Sequence, residues 1–483
     1  MTPLSGISNI PFMMESTRGF RSRHLAGLHK KHRVIRIGPS HLSYSDHSAI
    51  KDIYGHSTKC SKGDFYDILS GTHYHLADVT DKIEHQRKRK VLSSAYAIKN
   101  LADWEHKIAD KVDRLIKQFD TRCTTPLLPG NKPVQEDLSI DYRMWTNFFT
   151  MDAIVDIGLS TSTGFLDKGN DETIAELYDG SRHIVSYRDV LHSNLTAQSH
   201  LVWIGEWFPK VQKFVQMVSS KYNTMFSKGP LYDGIVLHQA RERFKRYQSG
   251  EKLDEFFQAL MESKNGQQHM LEWGEIVAEI SIMLNAGSVS TAIAINNTMY
   301  LLLKNPKCLV TVRGEIDSVT EEGETVIAYE KVKYLPYLRA CVDEAMRIFP
   351  PTPFNLPRKT PSEGATIFRE YVAGNTTVSM SSYVAHRDEN VFPDPETFRP
   401  ERWLGEEGKQ LQPYFITFSA GARGCIGRNI SYLEQLVITA SVLHRYEFAL
   451  PYMAWEQHRY EHFNLVPGPL PLKAWRRPVK ADA

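Results

Sequence analysis

Apolar positions along this chain recur chiefly at intervals of three and four residues, the period of helices that bury one face. The first ordered segment differs. His32-Arg33-Val34-Ile35-Arg36-Ile37-Gly38-Pro39 is rich in β-branched residues and ends in a turn signal, which predicts a short strand. Asp46 then stands where it can cap a helix carrying Ala49, Ile50 and Ile53 on one face, with Gly55 as its stop. Phe65, Tyr66, His73 and Tyr74 make the next loop unusually aromatic. A helix is predicted over Asp81 to Tyr96, with His85 and Arg89 one turn apart on the same face. Thr121 to Glu136 contains Pro and Gly and reads as a surface loop, after which helical periodicity returns in Trp145 to Ile157. Ser181 to Phe226 reads as helical and is rich in aromatics and His, with Trp203, Trp207 and Phe208 among them.

The longest periodic stretch runs from near Trp273 to Lys304 and ends at Asn305-Pro306, because the residue before a proline leaves helical backbone. Its length suits a membrane span. Glu275, Glu279, Asn285, Asn296 and Asn297 interrupt it, however, and this favours a buried central helix. Leu338 to Phe349 forms another helix, stopped by Pro350-Pro351, on which Glu344 and Arg347 share a face. A strand pair is expected around Thr366-Ile367-Phe368 and Thr377-Val378-Ser379-Met380, and a last helical pattern runs through Ile430, Leu433, Val437 and Leu443.

Composition acts mainly by exclusion. The 483 residues, 42% hydrophobic and 24% charged, suffice for one large core or several domains. Five cysteines without pairwise or CxxC spacing argue against a disulfide scaffold or zinc site and for a reducing compartment. A net charge of +2, with no basic arm, argues against nucleic acid. Met1 to Lys31 lack a continuous apolar run, so no signal peptide or membrane anchor is visible.

The distinctive chemistry lies in Phe418-Ser419-Ala420-Gly421-Ala422-Arg423-Gly424-Cys425-Ile426-Gly427. The glycines let the backbone approach a flat group, and a cysteine just before a helix has its thiolate favoured by the helix dipole and free N–H groups. Arg423 offers a forked donor to a carboxylate. A thiolate, a close-approach loop and an anion-binding Arg together suit a haem, with iron on the sulfur and a propionate on the Arg. This pattern resembles the haem loop of the cytochrome P-450 family, with Phe418, Gly421, Arg423, Cys425 and Gly427 in the expected places.

That resemblance implies a mostly α fold with a small β region assembled from the N-terminal strand and the later strand pair, one catalytic domain over residues 1–483, and haem b between the central helix and the Cys425 loop. It assigns His85, Arg89, Arg358 and Arg423 to the haem propionates, and Thr352 to Leu356 and the turn at Phe463 to Val466 to the pocket wall. His386 fits either a propionate contact or a structural role. Glu344, Arg347 and Arg402 resemble the family's Glu-x-x-Arg helix and its third partner, a structural triad. Arg87, Lys88 and Lys90 are expected to face outward as a docking surface while Arg89 faces inward. The 181–226 region is either a mobile lid over the substrate or a packed helical pair.

In the central helix, Asn285-Ala286-Gly287-Ser288-Val289-Ser290-Thr291 resembles the family's oxygen-binding motif. Small Ala286 and Gly287 would let the cofactor lie close, and the hydroxyls could open the backbone ladder to a water. The chain departs from the motif at two positions. Val289 stands where the proton-relaying acid belongs, and Ser290 where the alcohol is usually Thr. Ser290 keeps a hydroxyl, and Thr291 offers another route for protons.

The function expected is a haem-thiolate monooxygenase that hydroxylates, epoxidises or desaturates an apolar small molecule, most like filamentous-fungal members that tailor secondary metabolites. It would use O2 and NADPH-derived electrons from a separate NADPH–cytochrome P-450 reductase, since no dinucleotide fingerprint follows a strand in the chain. Val289 favours a second reading, a haem-thiolate isomerase, dehydratase or peroxide-using enzyme. The expected state is a monomer, either cytoplasmic or resting on the endoplasmic reticulum membrane through its apolar lid region.

Overall fold

The long helix spans Trp273–Lys304 without a break in the computed structural model, which describes residues 3–93, 95–96, 98–253, 255–263 and 265–478. From Ser288 onward nearly every side chain on it is buried, including Asn296, Asn297 and Thr298. A helix buried all round must satisfy its polar side chains internally. Asn296 Nδ2 donates to Gln457 Oε1 at 3.0 Å, and Asn297 Nδ2 donates to the Phe349 carbonyl at 3.2 Å. Among the described residues this is the one helix long and apolar enough to cross a membrane, and more than half of its apolar window is buried in the core. The core reading of the sequence therefore holds.

Helix Tyr142–Leu159 packs closely along the central helix. Gly287 makes the approach possible, since a Cβ there would fall 2.6 Å from Ile154. Its small size thus serves helix packing, a purpose the sequence reading assigned to cofactor approach. Helices Ile98–Asp120, Pro336–Ile348 and Arg428–Arg445 complete the surrounding bundle. The fold is mostly α with several small sheets.

The largest sheet joins distant segments in the order Val34–Gly38, His41–Tyr44, Thr377–Ser379, Arg358–Lys359; the middle pair is parallel and the others antiparallel. The expected pairing of the 366 and 377 stretches is corrected here. Ala365–Ile367 instead forms a local hairpin with Glu370–Val372, because Phe368 and Arg369 take positive φ and close a tight turn.

Three other expectations shift. The aromatic loop contains a helix, Asp64–Leu69, and Phe65 packs against Trp203, Phe354 and Phe463. The stretch read as helical from Ser181 opens with a strand, Arg182–Ser186, paired to Glu172–Glu176, and Ser186 then caps helix Tyr187–Leu201. Of the two readings of this region, packing describes what is seen, since Ala197, Leu201, Trp203, Phe208 and Phe226 join one core with Phe12, Leu25 and Ile37. Asp46 accepts from Ser48, one step before the helix Ala49–Tyr54, whose N-cap is Ser48.

The helix expected over Asp81 to Tyr96 spans Lys82–Ser93, with Ser94 outside the described residues. His85 and Arg89 do share its inward face, but the outward basic face is smaller than expected. Lys88 is buried, with Nζ 2.7 Å from Glu275 and 3.2 Å from Glu279 of the central helix. Arg87 and Lys90 stay exposed as expected, although Arg87 also pairs with Glu275 and with Glu84. The partners lie some 190 positions away, beyond the reach of local periodicity.

The Glu344 triad forms as expected and is fully buried. Burial alone would raise the Glu344 pKa, but the Arg347 hydrogen bond and the charges of Arg347 and Arg402 hold it below the usual carboxylate value.

Candidate active site

A cavity of about 450 Å³ lies between the central helix and the Cys425 loop. Gly421 takes a left-handed φ of 64° and sits against the Tyr54 carbonyl, a position that a side chain could not share. The loop then closes with Cys425 N–H donating to the Phe418 carbonyl at 2.8 Å, immediately ahead of helix Arg428–Arg445. Cys425 is solvent-exposed through the open cavity onto which it faces, while protein surrounds it on its other sides. Burial pushes its thiol pKa up, against the opposing pull of the Gly427 and Arg428 N–H groups and of Arg89. The sequence reading anticipated the helix N-terminus correctly but not the sign, because desolvation outweighs it.

One end of the cavity is strongly cationic. Lys62, Arg89, Arg358 and Arg423 all line it, and among the described residues none pairs with a carboxylate. They are satisfied by neutral acceptors instead. Arg423 donates to the carbonyls of Val79 and Thr80 at 2.6 and 3.1 Å, Arg358 to the Tyr66 hydroxyl at 2.9 Å, and Arg89 to the Gly424 carbonyl at 2.8 Å. Lys62 reaches the Ala77 carbonyl and lies over the Tyr66 ring. Burial, and next the charge of Arg358, lowers Arg423 to about 10. Burial together with Arg358 and Arg423 holds Lys62 well below its ordinary value. His85, beside them, is pushed down to about 4 by burial and then by Arg423, Lys62 and the other cations. So many uncompensated cations around one cavity require an anion. A flat cofactor with two carboxylates at one edge and a metal for Cys425 at its centre fits this donor set.

His85, Arg89, Arg358, Arg423, Phe418, Cys425, Ala286, Gly287, Ser290 and Thr291 all line the cavity, so every predicted site residue meets in one place. Thr352, Phe354, Leu356 and Asn464 do as well. His386 does not. It is buried beneath the loop, its Nε2 accepts from Ile416 N–H at 3.0 Å and its ring stacks on Phe415, so its role is structural. Phe65 and Trp203 are likewise core residues and not wall residues. Sequence reasoning missed Lys62 and Tyr66 as partners of the cationic end, because no motif surrounds either.

On the central helix, Ser290 donates to the Ala286 carbonyl at 2.9 Å and the helix stays closed, so the hydroxyl does not open the ladder as anticipated. Thr291 points its hydroxyl to Ser431 of helix Arg428–Arg445, at 3.0 Å. Val289 is buried and contributes no proton donor.

A helical bundle with a cysteine loop and a cationic rim around one cavity fits the donor set of a haem-thiolate protein. The cytochrome P-450 family profile matches residues 21–473, and the chain belongs to that family, as an oxidoreductase of the monooxygenase class. It is similar to benzoate 4-monooxygenase bphA of Aspergillus niger, 29% identical over 92% of this chain and 86% of that protein. Cytochrome P-450 monooxygenase cicH of Emericella nidulans is 28% identical over 96% of this chain and 90% of its own length. Tryprostatin B 6-hydroxylase of Aspergillus fumigatus is 24% identical over 98% and 79% respectively. The family uses haem iron and O2 with electrons from a redox partner, and fungal members typically associate with the endoplasmic reticulum.

Proposed function

We propose that this chain is a single-domain, monomeric haem b monooxygenase that oxidises an apolar small molecule in fungal secondary metabolism. Its electrons come from a separate NADPH–cytochrome P-450 reductase, and it works at the endoplasmic reticulum membrane surface. The observation that carries this reading is the cavity that sets Cys425 opposite the central helix beside four carboxylate-free cations. Arg89, Arg358, Arg423 and Lys62 would hold the propionates, with His85 beside them, and Cys425 the iron. When bound, the haem supplies oxygen activation and electron transfer. A coordinating metal deprotonates a thiol outright, so iron would overcome the burial that raises the Cys425 pKa. The apolar wall formed by Leu76, Ile154, Phe256, Ile282, Met283 and Phe354 excludes water and favours an apolar substrate.

Proton delivery must bypass Val289. Ser290 is the hydroxyl retained at the alcohol position, and rotating it away from the Ala286 carbonyl costs the helix nothing, since that carbonyl already sits in the backbone ladder. Ser290→Ala should therefore leave thermal stability within about 0.5 kcal/mol and raise electron consumption per product several-fold. Unaltered coupling would move proton delivery to Thr291 or to bound water.

The direct test grows cells with and without this protein, together with a reductase, under isotopically heavy oxygen. A new product carrying the heavy label is expected. A new unlabelled product formed equally without the reductase would overturn the monooxygenase reading.

A further inference from the structure

Most polar side chains facing this cavity from the central helix have protein partners. Glu279 accepts from the Leu76 N–H and from Lys88 Nζ, both at 3.2 Å. Ser290 and Thr291 donate to the Ala286 carbonyl and to Ser431. Across the cavity, Asn464 spans the Pro351 carbonyl and the Thr352 hydroxyl at 3.3 and 3.2 Å. Asn285 is the exception. Its side chain lines the cavity and has no hydrogen-bond partner among the described residues. The Tyr96 hydroxyl shares that condition; its ring packs edge-on against Phe256 at 5.5 Å.

The Asn285 amide is half-exposed onto the cavity, so an apolar ligand closing over it would bury it unpaired, whereas a matching ligand group would satisfy it, and the site would reject a ligand that lacks the match. The carboxamide presents one donor face and one acceptor face. An anionic ligand group is disfavoured at this point, since the amide supplies no charge and the carboxylate of Glu279 lines the cavity from the same helix; Lys88 already pairs with that carboxylate, so it offers no free counter-charge to a cationic group. The cations lie at the His85 and Arg423 end, where the propionates would occupy them. Asn285 stands five residues before Ser290, about 7.5 Å along the helix axis. A polar group held there fixes which atoms of the ligand reach the level of Ser290.

We infer that Asn285 is the positioning residue for the substrate, an otherwise apolar molecule carrying an uncharged hydroxyl or carbonyl group, with Tyr96 as a second contact. The inference rests on the monooxygenase reading of the cavity and adds the substrate's polar handle and the residue that sets its orientation.

The test needs no knowledge of the natural substrate. Imidazoles N-substituted with alkyl chains of increasing length bind haem iron through the ring and extend into the cavity, and binding is read by absorbance. Each chain is compared with its ω-hydroxyl, ω-methyl-ketone and ω-carboxylate counterparts. At one chain length the hydroxyl and ketone probes should gain affinity over the alkyl probe, and Asn285→Leu should abolish that gain, an effect of about ten-fold. Asn285→Asp removes the donor and keeps acceptors, so it should preserve the hydroxyl gain and lose the ketone gain. The carboxylate probe should gain nothing in any form. No gain at any length, gains unchanged in Asn285→Leu, or a preference for the carboxylate would each overturn the inference. The carbon-monoxide spectrum of each reduced variant separates the two levels: a normal haem-thiolate spectrum without the gains removes the role of Asn285 alone, whereas an abnormal spectrum in the unaltered protein removes the haem reading beneath it.

Discussion

Glu344→Gln is expected to cost about 3–5 kcal/mol of folding stability, a large share of what a domain of ordinary stability has available. The carboxylate is fully buried and accepts from Arg347 Nε and Nη2, both at 2.8 Å, from Arg402 Nε at 3.1 Å, from Trp403 Nε1 at 2.8 Å and from the Arg399 N–H at 3.0 Å. Glutamine keeps the shape but removes the charge, leaving two buried guanidinium groups without a counter-ion. Those guanidiniums also hold the backbone of the segment beneath the cysteine loop: Arg347 donates to the carbonyls of His386 and Pro395, and Arg402 to that of Pro393. His386 in turn receives the Ile416 N–H, so loss of the triad loosens the base of the loop that carries Cys425. Denaturant unfolding should show the midpoint falling, with haem lost at lower denaturant than in the parent. A midpoint within error of the parent would mean that the triad is a passenger in the fold.

The parts of this architecture that were legible in the sequence are those whose causes are local. The central helix ran to its predicted ends because Asn305-Pro306 stops it and small and apolar residues fill its faces. The Glu344 and Arg347 pair follows from one helical turn, and the cysteine loop from its own spacing of glycines. Lys88 and Tyr66 were misread or passed over because what matters about them is a partner hundreds of positions away, Glu279 for one and Arg358 for the other. Lys62 was passed over for the same reason: a single lysine carries no signal until the fold sets it beside Arg358 and Arg423. Strand partners were legible only in part, since the N-terminal strand does share a sheet with the 377 strand but not with the 366 stretch. The 377 strand pairs in parallel with His41–Tyr44, a choice made by tertiary packing, while the 366 stretch obeys its own turn. His386 illustrates a further limit, since a buried neutral imidazole and a cofactor ligand have the same sequence signature.

Cys425→Ala is expected to abolish oxidation of the substrate while leaving the fold in place. The loop is held by backbone and by packing: the Cys425 N–H bonds to the Phe418 carbonyl whatever the side chain, and Phe418 packs on Tyr432 with ring centres 5.2 Å apart. Removing a small side chain that faces a cavity leaves no new buried void, so stability should change by less than about 1 kcal/mol. The cationic rim is also intact in this variant, and Arg89, Arg358, Arg423 and Lys62 should still retain haem, though more weakly without the metal bond. The expected result is therefore specific: a folded protein that carries haem, whose reduced carbon-monoxide complex no longer gives the thiolate-type spectrum, and whose product formation falls to background. Cys60, Cys123, Cys308 and Cys341 do not line the cavity and cannot substitute for it. A thiolate-type spectrum persisting in Cys425→Ala would place the ligand elsewhere and undo the assignment on which the orientation of the whole site depends.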